Sequence, residues 1–181
     1  MNFAPTPITG VVEVTTTPPR ASRGGFARPY CPDDFPAAGI LFAPTPVNLS
    51  TNPQRHRLRG LHFQHPPAAE AKLVRAVVGQ VWDVAVDLRP GAGFGRWHGM
   101  LLDAAVLNAV FLPEGVAHGF LTLTDDAALL YQMGRNHVPG HANGLRWDDP
   151  ALAIRWPAAP ALLAEADRAW PLLSARTDLA R

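Results

Sequence analysis

From Leu58 onward, apolar and polar residues alternate in short blocks broken by turn residues. Residues 73–78 and 81–88 flank Gly79-Gln80 and read as the two arms of a hairpin. In the second arm Trp82, Val84, Val86 and Leu88 share one face, and Val81, Asp83, Ala85 and Asp87 share the other. Pro90-Gly91-Ala92-Gly93 predicts a turn, and strands are expected at 96–102, 106–112, 119–123 and 127–133. Asp103-Ala104, Pro113-Glu114-Gly115 and Asp125-Asp126 supply turns between them. Strands recurring about every ten residues point to an all-β sandwich or barrel. Residues 1–57 are rich in Pro, Thr and Gly, with short apolar runs such as 10–14. They read as edge strands and loops, and as an arm reaching a partner subunit. After Pro160 the stretch 161–169 predicts a short helix before Pro171. The expected organisation is one domain over 1–181: arm to 57, β core over 58–157, tail over 158–181.

Composition narrows this picture. The 181 residues are 48% hydrophobic and 17% charged, enough for one cored domain and unlike a disordered chain. A net charge of +1 gives no electrostatic reason to expect nucleic acid or a membrane surface. Cys31 stands alone, so it forms neither an internal disulfide nor a cysteine metal site. No apolar run reaches membrane-spanning length, and the N-terminus lacks the pattern of a secretory signal, so the expected location is the cytoplasm. Of 16 basic residues only Lys72 is a lysine. In so arginine-rich a chain, a retained lysine suggests a site that needs a compact ammonium where a guanidinium does not fit.

The candidate chemistry gathers around Arg59-Gly60-Leu61-His62 and Lys72. A histidine can act as a general base near neutral pH. Strict alternation sends Arg59 and His62 to opposite faces, whereas a bulge at Gly60 would bring them together. Asp83 needs a cation or hydrogen bonds, and Lys72 on the adjacent strand is a candidate partner. His118 could meet an anion, with Gly119 allowing another group close. Tyr131 could be a general acid or a core tyrosine. Seven histidines raise a metal site as a rival, with His56, His62, His65 and His118 as candidates. No His-x-His pair occurs, and His62 and His65 lie three apart on a strand, facing opposite ways. No P-loop, dinucleotide fingerprint or Gly-x-Ser-x-Gly elbow is present.

Several segments together resemble the dTDP-4-dehydrorhamnose 3,5-epimerase family: 59–64, 72–75, 79–89, 94–97, 113–120 and 147–150, in matching order and spacing. Weaker similarity covers 23–26 and the tail through Asp167 and Pro171. The resemblance implies a cupin-like β-jelly-roll, a homodimer with exchanged N-terminal strands, a nucleotide-sugar substrate, and no metal or organic cofactor. It implies His62 as base, Asp167 as its orienting acid, Tyr131 as the acid on the opposite sugar face, and Lys72 as the cation at the enolate oxygen. Arg59 and His118 are implied as pyrophosphate or sugar contacts, with Arg23, Phe26, Asn48 and Asp83 also in the substrate site. The chain departs from the family pattern at Ala21, Arg28, Pro46, His137 and Ala142, several of them around the nucleotide or the partner's arm. The expected reaction is therefore a cofactor-independent epimerisation at C3, C5 or both of a 4-keto-6-deoxy sugar. A non-catalytic sugar-nucleotide-binding barrel and a metal-dependent cupin isomerase or oxygenase stand as alternatives.

Overall fold

The computed structural model describes residues 1–16, the backbone of 20–21, and residues 24–179. In chain order the strands are β1 (Asn2–Pro5), β2 (Val12–Thr15), β3 (Arg20–Ala21), β4 (Gly24–Gly25), β5 (Val47–Asn52), β6 (Arg57–Gln64) and β7 (Lys72–Val78). They continue as β8 (Gln80–Asp87), β9 (Trp97–Asp103), β10 (Ala109–Leu112), β11 (Val116–Thr122), β12 (Ala127–Met133), β13 (Ala142–Gly144) and β14 (Leu162–Leu163). Two short helices, α1 (Asp34–Ala37) and α2 (Glu165–Ala169), complete the elements discussed below. The larger sheet runs β1-β2-β10-β7-β12-β5, and the smaller runs β13-β6-β11-β8-β9 with β14 alongside β6.

Period-two alternation explains the layering. Val74, Ala76, Val110 and Leu129 of the larger sheet meet Val81, Ala85, Leu102 and Phe120 of the smaller one in a shared core. Each such side chain, fully buried, contributes about 1.5–3 kcal/mol if large and less if it is alanine. The outer face of the larger sheet, through Leu73 and Phe111, is covered by Phe35 and Phe42. Leu145, Leu152 and Leu173 from the C-terminal third cover Leu61, Val84 and Val86 on the outer face of the smaller sheet. The result is the cupin-like sandwich that the family resemblance implies.

Three sequence expectations change. The strands around Gly79 exist, but they do not form a hairpin. β7 pairs with β10 and β12, while β8 pairs with β9 and β11, so the chain crosses from one sheet to the other at Gly79, whose φ is +67°. Alternation alone cannot distinguish the two arrangements, because both sets of apolar side chains face the same core. The strand expected at 106–112 begins at Ala109. Asn108 takes a hydrogen bond from Asp103 N (2.9 Å) and gives one to the Leu101 carbonyl (2.7 Å), which holds a turn up to that point. The helix expected over 161–169 covers only Glu165–Ala169, because Leu162 and Leu163 pair in parallel with Arg57 and Leu58. Among the described residues no helix is long and apolar enough to cross a membrane.

Candidate active site

The bulge left open by the sequence is present. Between the pairs His118↔His62 and Phe120↔Arg59, β6 takes three steps where β11 takes two. The extra residue breaks alternation and turns Arg59 and His62 to the same cleft, a space of about 430 Å³ between the sheets. Gly60 makes this local path feasible. Its φ is +125°, and a Cβ there would stand 2.5 Å from Gly119 Cα. Gly119 is constrained in turn, since its own Cβ would lie 2.9 Å from the Arg59 carbonyl oxygen.

The two sheets furnish the cleft from opposite sides. Asn48 of β5, Lys72 of β7 and Tyr131 of β12 come from the larger sheet; Arg59, His62 and His118 come from the smaller one. A neighbouring lobe of about 340 Å³ shares His62, Lys72 and His137 and adds Glu70 and Trp170. His62 is aimed by the tail. Its Nε2 lies 2.6 Å from Asp167 Oδ1, to which Trp170 Nε1 also donates (3.2 Å), while Gly60 N donates to Oδ2 at 3.3 Å. In neutral His62 this bond places the proton on Nε2 and leaves Nδ1 as the basic nitrogen. The His62 side chain is 46% exposed and that of Asp167 only 6%, so the ring meets solvent and substrate while its partner does not. Burial alone would raise the Asp167 carboxyl. The bond and charge of His62, with the bonds from Gly60 and Trp170, outweigh it and hold Asp167 below the ordinary carboxylate value.

The remaining groups form two buried pairs. Lys72 Nζ lies 2.9 Å from Glu70 Oε1, and Gln64 Nε2 donates to Glu70 Oε2 at 2.5 Å. Gln64 Oε1 in turn accepts from Val138 N (2.6 Å), which ties down the segment carrying His137. His118 Nε2 lies 2.7 Å from Asp83 Oδ2, and Asp83 Oδ1 has no partner among the described residues. The expected pairing of Lys72 with Asp83 is thus replaced. The two stand on strands of different sheets, and each has a nearer partner. Tyr131 packs its ring edge-on to His118, with centroids 5.7 Å apart. Burial, then the charge of Asp83, pushes the Tyr131 hydroxyl well above its usual range against the opposing pull of Arg59, so it keeps its proton at neutral pH. Arg59 Nε donates to Asn52 Oδ1 at 3.0 Å.

Of the residues expected in the substrate site, Asn48, Arg59 and His118 line the main cleft, and Asp83 stands behind it, fully buried, against His118. Phe26 lines neither lobe and is 80% exposed. Arg23 lies outside the described residues. Among the described residues no three metal-ligating side chains stand together. His62, His118 and His65 are directed instead to Asp167, Asp83 and Asp178. Glu70, Asn52 and Trp170 escaped sequence reading. The one available signal was an acid two residues before the lone lysine.

A cupin-like sandwich with a histidine–aspartate pair, a buried ammonium and a protonated phenol around one cleft is equipped for proton transfer at carbon, the chemistry of an epimerase. Residues 5–175 match the family model described as dTDP-4-dehydrorhamnose 3,5-epimerase, and the chain belongs to that family of isomerases. It is 38% identical over 180 residues to a dTDP-4-dehydrorhamnose 3-epimerase of Streptomyces niveus, covering 98% of this chain and 86% of that protein. It superposes with a TM-score of 0.94 on a 4-keto-6-deoxy sugar epimerase from the novobiocin biosynthetic gene cluster of Streptomyces spheroides, at 38% identity, covering 99% of this chain and 92% of that one. The dTDP-6-deoxy-D-glucose-3,5-epimerase of Legionella pneumophila, solved with dTDP-4-keto-L-rhamnose, gives a TM-score of 0.93 at 31% identity, covering 99% of this chain and 97% of that one.

Proposed function

We propose that the protein epimerises a dTDP-linked 4-keto-6-deoxy sugar at C3, C5 or both, through an enolate. The observation that carries this reading is that His62 and Tyr131 reach one cleft from opposing sheets. A C4 ketone acidifies the hydrogens at C3 and C5. His62 removes one of them, and the electron pair moves into the carbonyl to give an enolate. Tyr131 then returns a proton to the carbon from the other face, which inverts the centre. The protonated state of Tyr131 suits it to donate, and Asp167 stabilises the imidazolium that His62 becomes. Lys72 supplies preorganised positive charge for the enolate oxygen. Arg59, His118 and Asn48 hold the substrate, with Asp83 fixing the His118 ring. No electron leaves or enters the sugar, so no redox cofactor is required by this chemistry.

We assign one domain to the whole chain, a cytoplasmic location and a homodimer. The dimer is supported by β5, an open edge of the larger sheet that presents Val47 and Leu49 at 58% and 61% exposure. Proton NMR of dTDP-4-keto-6-deoxyglucose with the protein in D₂O tests the reaction. Exchange of the C3 or C5 hydrogen for deuterium, lost in His62→Ala, is expected. Retention of hydrogen at both carbons across several nucleotide forms would contradict the reading.

A further inference from the structure

Arg57 stands two residues before Arg59 on β6, and the reaction described above gives it no task. Its Nε is buried and has no hydrogen-bond partner among the described residues. A buried N–H on a charged group is costly to leave unpaired, so an absent acceptor needs explanation. The side chain lines a third hollow, of about 360 Å³, whose walls include Arg59, His62, Ala164, Ala166 and Asp167. This hollow shares Arg59 and His62 with the main cleft, so the two adjoin along one strand.

The charges in the hollow are unbalanced. Asp167 is its one lining acid, and it is already occupied by His62, Gly60 and Trp170. Among the described residues no carboxylate pairs with Arg57 or Arg59. Residues two apart on a strand share a face and stand about 6.5 Å apart along it. A single phosphoryl group would satisfy one guanidinium fork. A diphosphate presents two phosphoryl groups in tandem and can meet both forks, each in the bidentate manner that arginine favours.

We propose that Arg57 is a diphosphate-binding residue, which together with Arg59 anchors the nucleotide sugar beside His62. This rests on the nucleotide-sugar reading above. Isothermal titration of the full chain with thymidine and with dTDP tests it, using wild type, Arg57→Met (which keeps the apolar stem) and Arg57→Lys (which keeps the charge without the fork). Arg57→Met is expected to weaken dTDP binding by about tenfold or more, the loss of one charge-assisted pairing, and to change thymidine binding by less than about twofold. Arg57→Lys should fall between for dTDP alone, and it carries the test if the Met variant fails to fold. Affinity for dTDP within about twofold of wild type in the folded variants overturns the proposal, as does an equal loss for thymidine and dTDP. The deuterium exchange assay separates the two readings. Wild type that exchanges the sugar hydrogen while the Arg57 variants bind dTDP normally removes only this assignment. Wild type that neither exchanges nor binds dTDP removes both.

Discussion

His62 is positioned by an acid 105 residues away in sequence, and that distance shapes what can be expected of each partner. Replacing His62 with alanine should reduce deuterium exchange at the sugar carbon by on the order of 10²–10⁴-fold. Tyr131→Phe has a different signature. Proton removal by His62 continues, so washout of the C–H signal should persist while formation of the inverted sugar falls, both read in one NMR time course. Asp167→Asn also tests an electrostatic point. The Asp167 carboxyl is held below its ordinary value of 3.8, so its stabilisation is present above the unfolded-state value and is lost as pH falls through the lower folded-state value. The melting temperature of wild type should therefore exceed that of Asp167→Asn at neutral pH, and the gap should close below about pH 4. At this scale the sequence made Lys72 conspicuous by its rarity. It did not reveal the His118–Asp83 pair, which depends on register between β8 and β11, or Glu70, whose nearness to Lys72 along the chain does not by itself show that the two side chains meet.

The bulge in β6 is the element on which the site depends. A methyl group on Gly60 would overlap the backbone of Gly119 and would also force a side chain into a backbone conformation that only glycine adopts easily. Gly60→Ala should thus lose at least about 3 kcal/mol in urea unfolding, from overpacking and backbone strain together. Any folded remainder should be inactive, since Arg59 and His62 would no longer share the cleft. Strand β8 could be read almost residue by residue from alternation, and β12 from its apolar run and the turn residues Asp125-Asp126 before it. The partnership of β7 and β8 could not, since the pattern records which face is apolar and says nothing of which neighbour supplies the hydrogen bonds. Likewise the glycine of Arg59-Gly60-Leu61-His62 permits a bulge without requiring one, and only its approach to Gly119 decides the matter.

For the molecule as a whole, the open edge at β5 predicts a measurable assembly. The double substitution Val47→Asp and Leu49→Asp should shift the species in light scattering from dimer to monomer, with little effect on the core, because both side chains are exposed. The sandwich and its cleft were legible in sequence through strand spacing and the family segments. The mouth was less so. Departures such as His137 and Ala142 line the lobes without disturbing the frame, so the frame carries no record of the substrate they select. One more consequence follows from the long reach between His62 and Asp167. During synthesis the ribosome makes every strand of both main sheets before Asp167 emerges. A nascent chain that has just completed its strands therefore lacks both the acid that aims His62 and Leu173, which covers the outer face of the smaller sheet, so the base and the scaffold are completed together by the tail.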